Sequence, residues 1–220
     1  MEKKQSPVDE NKILQSSGLK YSYPGQKALE LPDLSCEPAG KLLITGQSGS
    51  GKTTLLHLIS GLLRIQQGDV KLLGESLKGM SQSALDRFRG RHIGLVFQQA
   101  RFISSLRVID NVCAAQYFGT GKSDRQEAMR LLEALGIQSK AQGYTQGLSG
   151  GERQRLSIAR ALASKPEVVM ADEPTSSLDD VHAEAVYHLL STECSSRGAS
   201  LIVVSHDQRL KDKFQNVVSL

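Results

Sequence analysis

No apolar run in this chain approaches the roughly 20 residues needed to cross a bilayer. The longest, such as Leu201 to Val204, are strand-sized, so a chain soluble by itself is expected. Cysteine is scarce: Cys36, Cys113 and Cys194 lie far apart and form no CxxC pair. That excludes a zinc knuckle or a disulfide framework and fits a reducing cytosol. Aromatic residues make up only 5%, and the 27 Lys plus Arg, against 23 Asp plus Glu, are scattered rather than gathered in one block. Without a basic stripe interleaved with aromatics, no nucleic-acid partner is expected. Internal repeats and low-complexity tracts are also absent, and the polar start, Met1 to Lys12, lacks the apolar core of a signal peptide and reads as a short disordered tail.

What is present is alternation. The 220 residues suffice for one α/β domain. Short runs rich in Val, Ile and Leu, namely Lys41–Thr45, Val70–Leu73, Ile93–Phe97, Glu167–Ala171 and Ser200–Ser205, have strand composition, and the last two suit a parallel sheet buried on both faces. Thr54–Ser60 and Ser81–Arg89 show helical patterning between them. Leu19–Tyr23 and Ala28–Leu31, around the turn Pro24-Gly25, predict an antiparallel flap. From Gln99 to about Gln154 the pattern is mainly helical, with helices over Arg107–Gln116 and Ser123–Leu135. Ser123 and Gln126 are spaced as a capping box for the second, and Gly136 is placed to end it.

Gly46-Gln47-Ser48-Gly49-Ser50-Gly51-Lys52-Thr53 fits G-x-x-x-x-G-K-[ST] in full, between a strand and a helix. The glycines permit backbone angles that turn successive N–H groups inward, and the helix aims its positive end at the same point. A polyphosphate is the expected ligand, with Lys52 on the β- and γ-phosphates and the Thr53 hydroxyl on Mg²⁺.

Val168–Ala171 then delivers two adjacent carboxylates, Asp172 and Glu173, at a strand end. Beside such a cradle Asp172 suits the Mg²⁺ shell and Glu173 the attacking water; the alternative is that either caps the helix starting near Leu178. His206 follows another buried run and suits a hydrogen bond to the γ-phosphate, although a lone strand-end histidine is commonly structural. Gln98, at the end of Ile93–Phe97, has an amide suited to Mg²⁺ or to the water. Tyr21 and Tyr23 both offer a ring for an adenine, or for the core.

Leu148-Ser149-Gly150-Gly151-Glu152, lying between cradle and acidic pair, completes a set that resembles the nucleotide-binding subunits of ABC transporters from about Leu19 to Leu220. The resemblance implies an α/β fold: a P-loop NTPase (RecA-like) core at about 13–98 and 155–220, with an N-terminal antiparallel β subdomain and an inserted helical subdomain at about 99–154. It implies an ATPase using ATP and Mg²⁺, with Gly46 to Thr54 and Tyr23 on the nucleotide, Thr53, Gln98 and Asp172 on the metal, and Glu173, His206 and Gln98 in catalysis. It also implies a head-to-tail homodimer in which Ser149, Gly150, Gly151 and Glu152, with Asp179 of the D-loop Ser177-Leu178-Asp179, close over ATP held by the other copy. The separate permease implied with it would place the chain in the cytoplasm, on the inner face of the membrane. Glu152 stands where many members carry Gln. From the residues alone, Ser149-x-x-Glu152 is equally a helix capping box, and both readings can hold together.

Asp86 to Gln98 looks like the LolD, MacB and FtsE group, whereas Glu173 to Asp179 reads EPTSSLD in place of the EPTGNLD common there. The stretch from Gln98 to Val112 is the expected docking surface for a permease helix, with Phe102, Ile103 and Leu106 either exposed for it or packed in the lobe's own core. The short stretch after His206 leads to the expectation of no added regulatory domain. The rival reading is a soluble ABC-type clamp or a cell-division regulator.

Overall fold

Side-chain parity along the central strands decides which of two cores each residue enters. In the computed structural model, which describes residues 11–176 and 178–220, β1 (Leu14–Tyr21) pairs antiparallel with β2 (Leu29–Glu30), β3 (Leu34–Cys36) and β5 (Gln67–Leu72), and β6 (Glu75–Ser76) continues beyond β5. The expected flap is thus a five-stranded sheet that also recruits the run at Val70. A register shift between Ser17 and Lys20 bends β1. The reading of Met1 to Lys12 as a tail lies outside the described residues up to position 10.

The second sheet is parallel throughout, in the order β10 (Asn216–Ser219), β4 (Lys41–Thr45), β9 (Ser200–Ser205), β8 (Val168–Asp172), β7 (Ile93–Val96). Leu43, Val169, Ala171, Leu201 and Val203 point to one face, into a cluster with α3 (Val108–Thr120), α4 (Arg125–Ala134), α5 (Gly150–Leu162) and α6 (Asp180–Ser196). Leu42, Ile44, Val168, Met170, Ile202 and Val204 point to the other, packing on α1 (Lys52–Ile59), α2 (Gln82–His92) and the antiparallel sheet. Burial on both faces explains why β8 and β9 carry no polar alternation.

Helix α5 runs across position 154, joining the helical region to the sheet. Its far end presses on β7, where a Cβ at Gly94 would sit 2.2 Å from the Ala161 carbonyl oxygen, so only glycine allows that approach. The capping box expected at Ser123 does not form: α4 is capped by Asp124, which accepts from Gln126 N and Glu127 N at 2.9 and 3.0 Å. A carboxylate one residue later meets two backbone donors, more than the Ser123 hydroxyl was expected to do. Gly136, at φ +68°, follows the helix end as expected.

Candidate active site

Parallel registry aligns the ends of three strands. Thr45 of β4 faces Ser205 of β9, and Val204 faces Asp172 of β8, so Gly46, His206 and Glu173 all emerge at one sheet edge.

From β4 the chain turns through Gly46–Gly51 into α1. Gly51 occupies the N-cap with φ +99°, closed to other residues without strain, and no side chain caps the helix. The first-turn N–H groups therefore point, with the helix dipole, at whatever lies in the loop. No acidic residue sits in that turn to compete with an anion. Lys52 is 6% exposed and folds back, donating from Nζ to the carbonyls of Gly46 and Gln47 at 2.9 and 2.7 Å. The buried Ser50 Oγ finds no partner. A Cβ on Gly46 would come within 2.7 Å of that hydroxyl. Glycine, lysine, an orphaned hydroxyl and an uncapped helix make the chemistry of this loop fit a phosphate chain.

The Thr53 hydroxyl donates to Asp172 Oδ1 at 3.3 Å. Asp172 is buried, and burial pushes its carboxyl above the ordinary carboxylate range, with the Thr53 hydrogen bond and His57 pulling the other way. Because the folded-state pKa is raised, ionised Asp172 weakens the fold at neutral pH, and the penalty disappears as pH falls through the raised value. Asp172→Asn is accordingly expected to raise the melting temperature of the nucleotide-free protein at pH 7, with wild type and variant converging as pH falls into the ordinary carboxylate range; thermal melts across pH measure this. A hydroxyl and a carboxylate converging in this way also suit a hard cation held with oxygen ligands.

Glu173 adopts φ +48°, a left-handed conformation that costs a non-glycine residue about 1–3 kcal/mol. The turn is fixed by Glu173 N donating to Val204 O at 2.8 Å. Its carboxylate, 8% exposed, accepts from the Ser205 hydroxyl at 3.1 Å and from His206 N at 3.2 Å, and a hydrogen bond of 2.8 Å joins it to His206 Nδ1. Neither carboxylate caps the next helix. Asp179 does, accepting from His182 N at 2.9 Å; Ser177, the first residue of that loop, lies outside the described residues. Ser205 escaped the sequence reading, although it stood inside Ser205-His206-Asp207.

Gln98 lies just beyond β7, exposed, and donates to Ser176 Oγ at 3.4 Å. It lines a cavity of about 600 Å³ together with Thr53, His57, Phe97 and Asp172. Tyr23 places its hydroxyl 3.2 Å from Thr54 Oγ1, in the first turn of α1, and stands edge-on to Tyr21 with ring centroids 4.9 Å apart. Tyr21 packs against the core beneath the antiparallel sheet.

Ser149 to Glu152 forms the capping box in full. Glu152 N donates to Ser149 Oγ at 3.3 Å, and Ser149 N to Glu152 Oε2 at 2.8 Å. That backbone donor, then Lys140, hold the Glu152 carboxyl below its ordinary range. Gly150 and Gly151 are exposed, with open space where a Cβ would be. Among the described residues no hydrogen bond or ion pair joins this helix start to the phosphate loop of the same chain. Gln154 ties it instead to the Pro174 carbonyl at 3.3 Å. Of the three apolar candidates for docking, Ile103 is 42% exposed, whereas Leu106 is half-buried and Phe102 packs on the helical-side core with the Arg160 guanidinium 5.6 Å from its ring.

Over residues 29–176 the chain matches the family model described as ABC transporter. It is 38% identical over 198 residues to the lipoprotein-releasing system ATP-binding protein LolD 2 of Chlorobaculum tepidum, covering 86% of this chain and 80% of that protein. With LolD of Pseudomonas fluorescens, described in the same words, identity is 36% over 207 residues, covering 92% and 91%. Among solved structures, the dimeric structure of MJ0796, a bacterial ABC transporter cassette, superposes with a TM-score of 0.86 at 28% identity over 94% of each chain. A dimeric post-hydrolysis state of the same cassette, bound to ADP and Pi, gives 0.85 over the same share at the same identity.

Proposed function

The chain belongs to the ABC transporter family, and from that premise we propose that it is the ATP-hydrolysing subunit of a lipoprotein-releasing transporter, working as a head-to-tail dimer against a separate membrane permease. No helix among the described residues is long and apolar enough to cross a membrane; in this proposal a separate permease supplies the path for the cargo. The observation that supports hydrolysis best is the Glu173 carboxylate, oriented by Ser205 and His206 at the sheet edge that also carries the uncapped start of α1.

In this reading the loop amides from Gly46 to Thr54 and the Lys52 ammonium bind the triphosphate. Lys52 exchanges its two neutral carbonyl acceptors for anionic phosphate oxygens, so that each hydrogen bond also becomes an ion pair. Thr53, Asp172 and Gln98 would hold Mg²⁺, which when bound neutralises charge developing on the transferred phosphoryl group. Glu173 accepts the proton of the attacking water, and His206 keeps the carboxylate aimed while facing the γ-phosphate. Tyr23, beside Thr54, stacks on the adenine.

Gly150 and Gly151, open to solvent, and the start of α5 close over the nucleotide of the second copy, with Glu152 and Asp179 buttressing that face. The capping box keeps Ser149 at the helix start, so cap and clamp are one piece of structure. Residues 99–154 act as the helical lobe that meets the permease from the cytoplasmic side, using Ile103 among its exposed positions.

Lys52→Ala is expected to weaken ATP binding by about 10²-fold or more, following the roughly 2.7–4 kcal/mol attached to one preorganised donor. Titration with a fluorescent ATP analogue measures it, and unchanged affinity would remove Lys52 from the site. Transport itself is tested by co-purification from native membranes. Recovery of an integral membrane protein in nucleotide-sensitive stoichiometry supports the proposal; recovery with only a soluble scaffold would refute it.

A further inference from the structure

Glu173 and His206 sit on two loops 33 residues apart, and something must hold those loops in register. The Thr175 hydroxyl, 1% exposed and two residues after Glu173, donates to Asp207 Oδ2 at 2.9 Å, one residue after His206. Asp207 N in turn donates at 3.1 Å to Ser205 Oγ, the hydroxyl that serves Glu173. The Asp207 side chain, 7% exposed, is gripped at both oxygens by Arg209, through Nε to Oδ1 at 2.7 Å and Nη2 to Oδ2 at 2.6 Å. The remaining guanidinium nitrogen, Nη1, reaches Asp180 in the first turn of α6, next to Asp179.

We propose that Arg209 is a positioning residue for hydrolysis: its guanidinium braces the Glu173 and His206 loops through Asp207 and ties them to the start of α6, the segment that would feel the second copy. The geometry favours this over a purely stabilising role. Asp180 is 88% exposed, and an ion pair that open contributes little to stability. Its placement still fixes where the fork can stand, because an arginine held on two sides has no freedom to follow a shifting loop. Among the described residues the carboxylate that Arg209 grips is the only hydrogen-bond acceptor of the Thr175 hydroxyl, so releasing it frees the loop after Glu173 to move.

The proposal rests on Glu173 activating the water, so both are tested together on the full-length protein. ATP turnover is measured per nucleotide-binding site for Arg209→Met, Asp180→Ala and the double variant, with Glu173→Gln in parallel. Arg209→Met is expected to lower kcat roughly 10- to 100-fold with KM for ATP within about twofold, since misplacement rather than binding is affected. Asp180→Ala is expected to lower kcat about threefold, and to add nothing in the Arg209→Met background. A merely structural arginine would change the melting temperature and the number of active sites while leaving kcat per site intact, and that result overturns the proposal, as does an additive loss in the double variant. If Arg209→Met does not fold, Asp180→Ala decides alone, and full kcat in that variant refutes the brace. Wild-type turnover in Glu173→Gln would sink the reading on which it rests, whereas a dead Glu173→Gln beside a fully active Arg209→Met would sink the brace alone.

Discussion

Glu173→Gln is expected to bind ATP with near wild-type affinity and to turn over about 10²- to 10⁴-fold more slowly, the range lost when a positioned general base is removed. The amide is isosteric, so the left-handed turn, the Glu173 N bond to Val204 O and the Ser205 hydroxyl contact can all persist. It lacks the capacity to take the proton from water. Binding then proceeds without the step that undoes it, and an ATP-loaded dimer should accumulate. Steady-state ATPase assays with size-exclusion chromatography coupled to light scattering check both halves. Turnover at the wild-type rate would remove Glu173 from its role, and an inactive protein that stays monomeric with saturating ATP would separate the catalytic assignment from the dimer.

Ser149→Arg is expected to lower turnover by about 10²-fold or more while leaving the affinity of a single copy for nucleotide within a few fold. Among the described residues no hydrogen bond joins Ser149 to the phosphate loop of its own chain; it pairs with the backbone and side chain of Glu152, and its carbonyl accepts from Arg153 N. Loss of the cap costs about 1 kcal/mol of helix stability, too little to unfold the chain. The larger effect is geometric, because a long cation at the start of α5 fills the open space above Gly150 and Gly151 that the partner's nucleotide would occupy in the proposed dimer. Mixing this variant with Lys52→Ala provides a further check. In a mixed dimer, one interface pairs a sound phosphate loop with a sound signature, so partial activity should return, and no recovery would argue against shared sites.

Much of this architecture was legible because its determinants are local. The strands Lys41–Thr45 and Ser200–Ser205 coincide with the apolar runs, since a strand buried on both faces shows no polar interruption to blur its ends. Ser149 and Glu152 form their box because three residues of spacing is all it needs. At the start of α4 the same rule misled by one position, where Asp124 offered the stronger acceptor. What stayed hidden depends on residues distant in sequence. Nothing local announces that Thr175 bonds Asp207, or that β5 leaves the parallel strands to join β1. Tyr21 and Tyr23 alternate identically in sequence, and only packing separates the ring set into the core from the one beside Thr54.

The parity rule of the central sheet has a consequence for how such a molecule diversifies. Leu43 and Leu42 are adjacent in sequence yet belong to different interiors, one shared with the helices and the other lying under the phosphate loop. Changes in separated interiors combine nearly independently. The helical side, apart from the start of α5 that carries Ser149 to Glu152, can therefore repack and reshape its outer surface while the interior beneath the cradle keeps its own packing.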